Sequence, residues 1–291
     1  MKCSICPRRC NAERTGDAGN GECRTGELPR LARAALHFDE EPVISVPGHG
    51  SGAVFFSGCA LGCVFCQNDS ISHGAFGKAV TVERLRDIYF ELIDQGARNI
   101  NLVSASHFAP WVVRSLTPRL PVPVIWNSSG YERVETLKMM EGHVDVYLPD
   151  FKYALSAPAK RYSGAEDYFE VALAAIGEML RQTGPVRLDA DGAILRGTLI
   201  RHLILPSQIE NSKRVLSCIK ENFDGAWVSL MAQYVPMGKA SEYPEINRPI
   251  TRQEYDEVVD HMLDLGLEDG FIQEMESADS KYTPSFDLTG V

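Results

Sequence analysis

GAVFFSGCALGCVFCQN, residues 52–68, joins a strand-forming run to three cysteines, and the reading of this junction decides the fold. Cys59, Cys63 and Cys66 follow a C-x3-C-x2-C spacing within eight residues. Thiolates are the usual protein ligands of iron–sulfur clusters, and four of them close a [4Fe–4S] cube. No fourth cysteine follows nearby, so the spacing implies a cube with one iron open to another ligand. Gly58 and Gly62 admit the left-handed backbone of a short chain wrapped around a cluster. A zinc knuckle would need a fourth ligand close by, and core thiols have no reason to gather on a glycine-rich loop.

Outward from this loop, short apolar runs alternate with longer amphipathic ones, the pattern of a parallel sheet covered by helices. The expected strands are GAVFFS (52–57), NINLVS (99–104), PVIWN (123–127), VDVYLP (144–149), LIRHLIL (199–205) and WVSLMAQ (227–233). Helices are expected after Thr81, with Gly96 as the stop, and over 109–116, 131–140, 166–182, 211–222 and 251–265. The result is an α/β chain with six βα units, a partial (β/α)6 barrel, two units short of a closed eight-fold one.

Ahead of the barrel, Cys3, Cys6, Cys10 and Cys23 stand in a polar segment with almost no apolar periodicity. Such a segment cannot build a core, and a structural metal would supply about 10–16 kcal/mol of folding free energy. Residues 1–45 are therefore expected to form a small N-terminal metal-binding four-cysteine extension, and 46–291 the barrel. The C-x2-C-x3-C-x12-C spacing suits both zinc and a complete second iron–sulfur cluster. Cys218, on an expected helix, reads as a buried small hydrophobe.

At 291 residues and 44% hydrophobic content the chain can bury a core without disulfide staples. Its net charge of -10 argues against a general nucleic-acid or anionic-membrane surface. The first nine residues lack a charged segment followed by an apolar stretch, and no apolar run is long enough to span a membrane. Eight cysteines in such a chain point to a reducing cytoplasm, where thiols serve as metal ligands and not as disulfides.

GCALGCVFCQN, with Phe65 before the third cysteine and Asn68 after it, resembles the cluster loop of the radical SAM superfamily and, within it, of the pyruvate formate-lyase activating enzymes. The resemblance runs from about Gly48 to Met275 and, with the four-cysteine segment, is nearest the PflX-like branch. It implies a radical SAM oxidoreductase in which the open iron chelates S-adenosylmethionine. Reductive cleavage then yields a 5′-deoxyadenosyl radical for hydrogen abstraction, chemistry that belongs to the cofactor while the protein orients it.

In parallel βα folds the ligand sits at the carboxyl ends of the strands. Ser104, Ser106 and His107 stand where activating enzymes carry a Gly-Gly-Glu-Pro run that receives the SAM amino group. Serine hydroxyls or carbonyls can serve there, and His107 either caps a helix or faces substrate. Asn127-Ser128-Ser129-Gly130 resembles the family's Asp-Thr-Asn-Gly, which makes Asn127 and Ser129 candidates, with Asn127 replacing an aspartate that helps hold a monovalent cation. Asp150-Phe151-Lys152 is similar to Asp-x-Lys, and Lys152 would offset the SAM carboxylate unless the pair is only a surface salt bridge. Arg201 and His202 match an Ile-Arg-Tyr run; adjacent strand residues face opposite ways, so only one lines the interior. Tyr234 aligns with a family histidine beside the adenosine.

The resemblance implies a flavodoxin or ferredoxin reductant and a glycyl-radical enzyme or peptide as substrate; Arg8, Arg9 and Arg24 form a basic patch that could dock the reductant. A rival reading is a radical SAM enzyme acting on a small molecule, another peptide or a nucleotide, with the four-cysteine segment as lid or electron carrier. A zinc-binding interaction module would explain that segment but not the cluster loop.

Overall fold

The structure is a computed structural model that describes residues 2–16, 18–74, 76–223, 225–275 and 284–291. Strand β1 (Arg30–His37) leads into β2 (Ser51–Phe56), and the chain then repeats helix and strand. These are α1 (Val82–Asp94), β3 (Ile100–Val103), α2 (Ala109–Ser115), β4 (Val124–Ser128), α3 (Val134–Met140) and β5 (Val146–Pro149). Next come α4 (Ser156–Ser163), α5 (Tyr168–Thr183), β6 (Ile194–Leu203), α6 (Ile209–Asn222), β7 (Trp227–Met231), α7 (Arg252–Asp264) and β8 (Gly270–Ile272).

Each strand lies beside its predecessor from β1 to β8. Strands β2 to β8 run parallel, while β1 pairs antiparallel with β2. The short strand Lys78–Ala79 extends the β1 edge. It does not pair with β8 at the other end, so the barrel stays open.

The six expected strands are β2 to β7, and a helix stands at each expected place. Thr81 caps α1 by accepting from the Arg84 amide, and Thr251 with Glu254 forms a reciprocal cap on α7. Of the labelled strands and helices, β1, α4 and β8 were not expected. Arginines interrupt the apolar run of β1, Pro158 and polar neighbours mask α4, and β8 is only three residues long. β1 falls inside the stretch expected as an extension, yet six register pairs join it to β2. Residues 30–45 thus belong to the barrel, as β1 and the start of the connection that follows it, and what stands apart from the barrel precedes Arg30.

Side chains alternate with the period of two that a pleated strand imposes. Val54, Phe56, Ile100, Leu102, Val124, Trp126 and Tyr147 pack under the helices. Ile125, Val146, Leu148 and Leu199 face inward and meet Val43 and Ile44 from the β1–β2 connection. That connection closes the amino-terminal end of the barrel, held by bonds from the Ile194 amide to the Val43 carbonyl and from Asn99 Nδ2 to the Ile44 carbonyl, both 2.9 Å. Among the described residues no helix is long and apolar enough to cross a membrane.

Candidate cluster and cofactor site

The β2 strand ends at the cysteine loop, and Cys59, Cys63, Cys66 and Phe65 line one cleft above the carboxyl ends of the sheet. Gly58 and Gly62 take φ of 83° and 67°, as a tight wrap requires. The loop is pinned from Val64, whose amide donates to the Tyr162 carbonyl (2.9 Å) and whose carbonyl accepts from the Lys239 amide (2.7 Å). Ser163 Oγ donates to Cys63 Sγ at 3.1 Å, Ser72 Oγ lies 3.3 Å from Cys66 Sγ, and the Leu61 amide donates to Cys59 Sγ at 3.4 Å. Phe65 stands edge-on to Tyr162 and Tyr234.

Burial pushes the Cys66 thiol up to about 12 and raises Cys63, each reinforced by its neighbouring cysteines. The bare thiols therefore keep their protons at neutral pH, and ligation by a cationic group expels them. Among the described residues no three His, Cys, Asp or Glu side chains stand close enough for a single metal ion. A cube holds its thiolates farther apart than one ion does.

A chain of charges crosses the cleft below the cysteines. Lys152 Nζ donates to Asp150 Oδ2 (2.7 Å), and Arg201 binds Asp150 Oδ1 (2.8 Å), Asn127 Oδ1 (2.8 Å) and Glu40 Oε1 (3.1 Å). Glu40 Oε2 also accepts from Asn101 and Asn127, each at 3.1 Å. Lys152 and Asp150 are only 16% and 15% exposed, so the pair is no surface salt bridge. Burial alone would raise Asp150, but Arg201 and Lys152 hold its carboxyl below the usual range. Burial alone would lower Lys152, but Asp150 raises it, so its ammonium persists.

Glu41, beside this chain, accepts from Ser229 Oγ at 2.9 and 3.0 Å, and burial pushes its carboxyl up to about 7 against the pull of Arg201. An unfolded chain releases that proton near 4.5, whereas the folded one keeps it to about 7. Stability from Glu41 is thus fully present below about pH 4.5 and is lost as pH rises to about 7. Glu41→Gln should match the parent near pH 4.5 and exceed it at pH 8 by at most about 3 kcal/mol in chemical denaturation. A constant difference across that range would rule out the titration.

The expected site residues divide by strand phase. Cys59, Cys63, Cys66, Phe65, Ser104, Asn127, Ser129, Asp150, Lys152 and Arg201 line the cleft. His202 does not: it lies under α6, bonded to the Phe151 carbonyl (2.7 Å) and Ser212 Oγ (2.9 Å). Tyr234 is in the core, donating to the Ile246 carbonyl at 2.7 Å. Ser104 takes φ of 60°, and the chain then enters the turn Ser106–Phe108, which carries Ser106 to Glu132 and His107 to the Ser57 carbonyl (2.9 Å). Burial pushes His107 down to about 3 and His202 to about 4, so both stay neutral at physiological pH. Glu40 and Glu41 were missed because they fall in the stretch read as extension. Two adjacent acids between strand-forming runs were the available signal.

The N-terminal segment rests against the cluster loop. Arg8 donates to the carbonyls of Ala60 (2.9 Å), Leu61 (3.0 Å), Ser163 (2.7 Å) and Gly164 (2.5 Å), so it is a strut and not a docking cation. Arg14, buried, binds the carbonyls of Gly26 (2.8 Å) and His107 (2.6 Å) and lies over Phe108 and Trp111. Burial pushes Cys6 up to about 11, with Cys23, Cys3 and Cys10 near enough to add to it. Cys218 is buried in α6, and all eight cysteines are free.

No protein-family model matches the chain. The uncharacterized protein MJ0674 of Methanocaldococcus jannaschii is 31% identical over 269 residues, covering 89% of this chain and 73% of the relative. A mutant of spore photoproduct lyase superimposes with a TM-score of 0.53 at 12% identity over 82% of this chain and 79% of the lyase. Methylornithine synthase, PylB, gives 0.51 at 12% identity over 80% of this chain and 68% of its own. HydG, a maturase of the [FeFe]-hydrogenase, gives 0.50 at 12% identity over 80% of this chain; the chain spans 54% of HydG, about half. This chain shares the fold of these three solved structures.

Proposed function

The chain belongs to one family with protein MJ0674 of Methanocaldococcus jannaschii, and for this member we propose radical SAM chemistry, with Cys59, Cys63 and Cys66 holding a [4Fe–4S] cluster that binds S-adenosylmethionine. The observation that carries this reading is the convergence of three thiols and the Lys152 ammonium on one cleft at the strand ends. The donor set fits the group: three thiolates leave one corner of a cube free. When bound, the cluster and cofactor supply one-electron cleavage of the sulfonium to methionine and a 5′-deoxyadenosyl radical.

The protein's own part is binding, orientation and exclusion of water. Lys152 is the cation available to the cofactor carboxylate, and Asp150 holds it in place. Ser104, Asn127 and Ser129 offer oxygens for the cofactor ammonium, and Phe65 forms an apolar wall. Lys152→Ala should weaken S-adenosylmethionine binding about tenfold to a hundredfold, the loss of one charge-assisted hydrogen bond, while Arg201 still compensates Asp150. Titration calorimetry on the reconstituted protein measures it. Unchanged affinity would return Lys152 to a purely structural role.

The resemblance of the strand-end runs supports a glycyl hydrogen of a partner protein as the atom removed, in a cytoplasmic setting with a flavodoxin- or ferredoxin-type reductant. A second reading, a small-molecule donor, is favoured by the C-terminal segment: Pro284 lines the cleft, and Phe286 packs on Phe55 with ring centroids 5.4 Å apart, narrowing the mouth. Incubation with a glycyl-radical enzyme, S-adenosylmethionine and reductant should give a backbone radical by electron paramagnetic resonance. Absence of that signal, with deuterium passing from a small metabolite into 5′-deoxyadenosine, would select the second reading.

A further inference from the structure

We propose that Cys3, Cys6, Cys10 and Cys23 hold a second iron–sulfur cluster that relays single electrons into the Cys59–Cys63–Cys66 site. The inference rests on the radical SAM reading of that site and gives it an entry route.

Electron tunnelling decays steeply with distance, so a relay must lie near the centre it serves. Two contacts hold the module there. Gly58, the neighbour of Cys59, is packed so tightly on the module that an added Cβ would lie 2.4 Å from the Cys23 carbonyl oxygen and 2.4 Å from Thr25 Cγ2. Thr25 Oγ1 is itself 3.2 Å from Cys23 Sγ. Arg8, two residues after Cys6, bonds the carbonyls of Ala60 and Leu61, which stand between Cys59 and Cys63. Cys6 and Cys23 are thus the inner pair, both buried, whereas Cys10 is exposed.

Four cysteines complete a cube with no open iron, which suits electron transfer and leaves no site for a cofactor. Zinc at the same thiols would be redox-inert. In the relay, a low-potential donor protein loses one electron, the module gains it and passes it to the inner cluster. No bond forms or breaks and no proton moves at the module.

The test uses the full chain, anaerobically reconstituted, as wild type, as Cys3→Ser/Cys6→Ser and as Arg8→Gln. Wild type should hold about eight irons and the double variant about four. Rapid-freeze electron paramagnetic resonance then follows reduction of the inner cluster by a flavodoxin-type donor, without S-adenosylmethionine. The fast phase should be lost in the double variant, although prolonged dithionite still reduces its inner cluster. Arg8→Gln, which keeps every thiol, should retain about eight irons and lose rate; it decides the matter if the double variant does not fold. Zinc or no metal at the four cysteines, or an unchanged fast phase in Arg8→Gln, overturns the relay. Failure of S-adenosylmethionine to alter the inner cluster's spectrum would instead overturn the radical SAM reading, which this reduction assay does not use.

Discussion

Cys63→Ala should lose its iron from the barrel cleft and with it all cleavage of S-adenosylmethionine. Among the described residues three protein thiols face that cleft, so removing one leaves two corners of a cube without protein ligands. Cys63 is also the most buried into the packing of the loop, accepting from Ser163 Oγ at 3.1 Å and touching the core that contains Tyr153 and Tyr162. Water cannot easily replace it there. Cys59→Ala and Cys66→Ala should behave alike, whereas Cys218→Ala should keep full activity because Cys218 sits on α6, away from the cleft. Iron and sulfide analysis with an assay for 5′-deoxyadenosine checks both halves; wild-type turnover by any of the three loop variants would remove them from the cluster site.

The second large effect concerns stability. Arg201→Ala should destabilise the protein by about 3–5 kcal/mol at neutral pH, because it strands two largely buried carboxylates. Asp150 loses its 2.8 Å partner and Glu40 its 3.1 Å one, in a site where Arg201 is 11% exposed. Lys152 partly shields Asp150, but Glu40 is left with the amides of Asn101 and Asn127. Arg201→Lys should fall between, since an ammonium keeps the charge without the planar fork. Chemical denaturation measures the difference, and a loss under about 1 kcal/mol would mean the pairs are solvated, as exposed pairs are.

The same arginine shows what the sequence made legible. Leu199, Arg201 and Leu203 share one phase of β6, so Arg201 had to face the interior once its neighbours did, and His202 had to face away. The cluster loop was legible too, because its chemistry lies in local spacing. Glu40 and Glu41 were not. Their position depends on the β1–β2 connection folding back under the barrel to reach Arg201 on β6 and Ser229 on β7, contacts across 161 and 188 residues that no local pattern encodes. Tyr234 was misplaced for a different reason: it was aligned with a family histidine beside the adenosine, but the chain turns there and buries the ring against Phe65. Ser106 and His107 likewise leave the cleft because Ser104 adopts a left-handed conformation that redirects the backbone.

Anaerobic protein reconstituted with iron and sulfide, then given S-adenosylmethionine and dithionite, tests the central claim most directly. Equimolar methionine and 5′-deoxyadenosine should appear, and their formation should require both the reductant and Cys59, Cys63 and Cys66. Intact S-adenosylmethionine after prolonged reduction, in protein carrying a full complement of iron, would contradict the assignment.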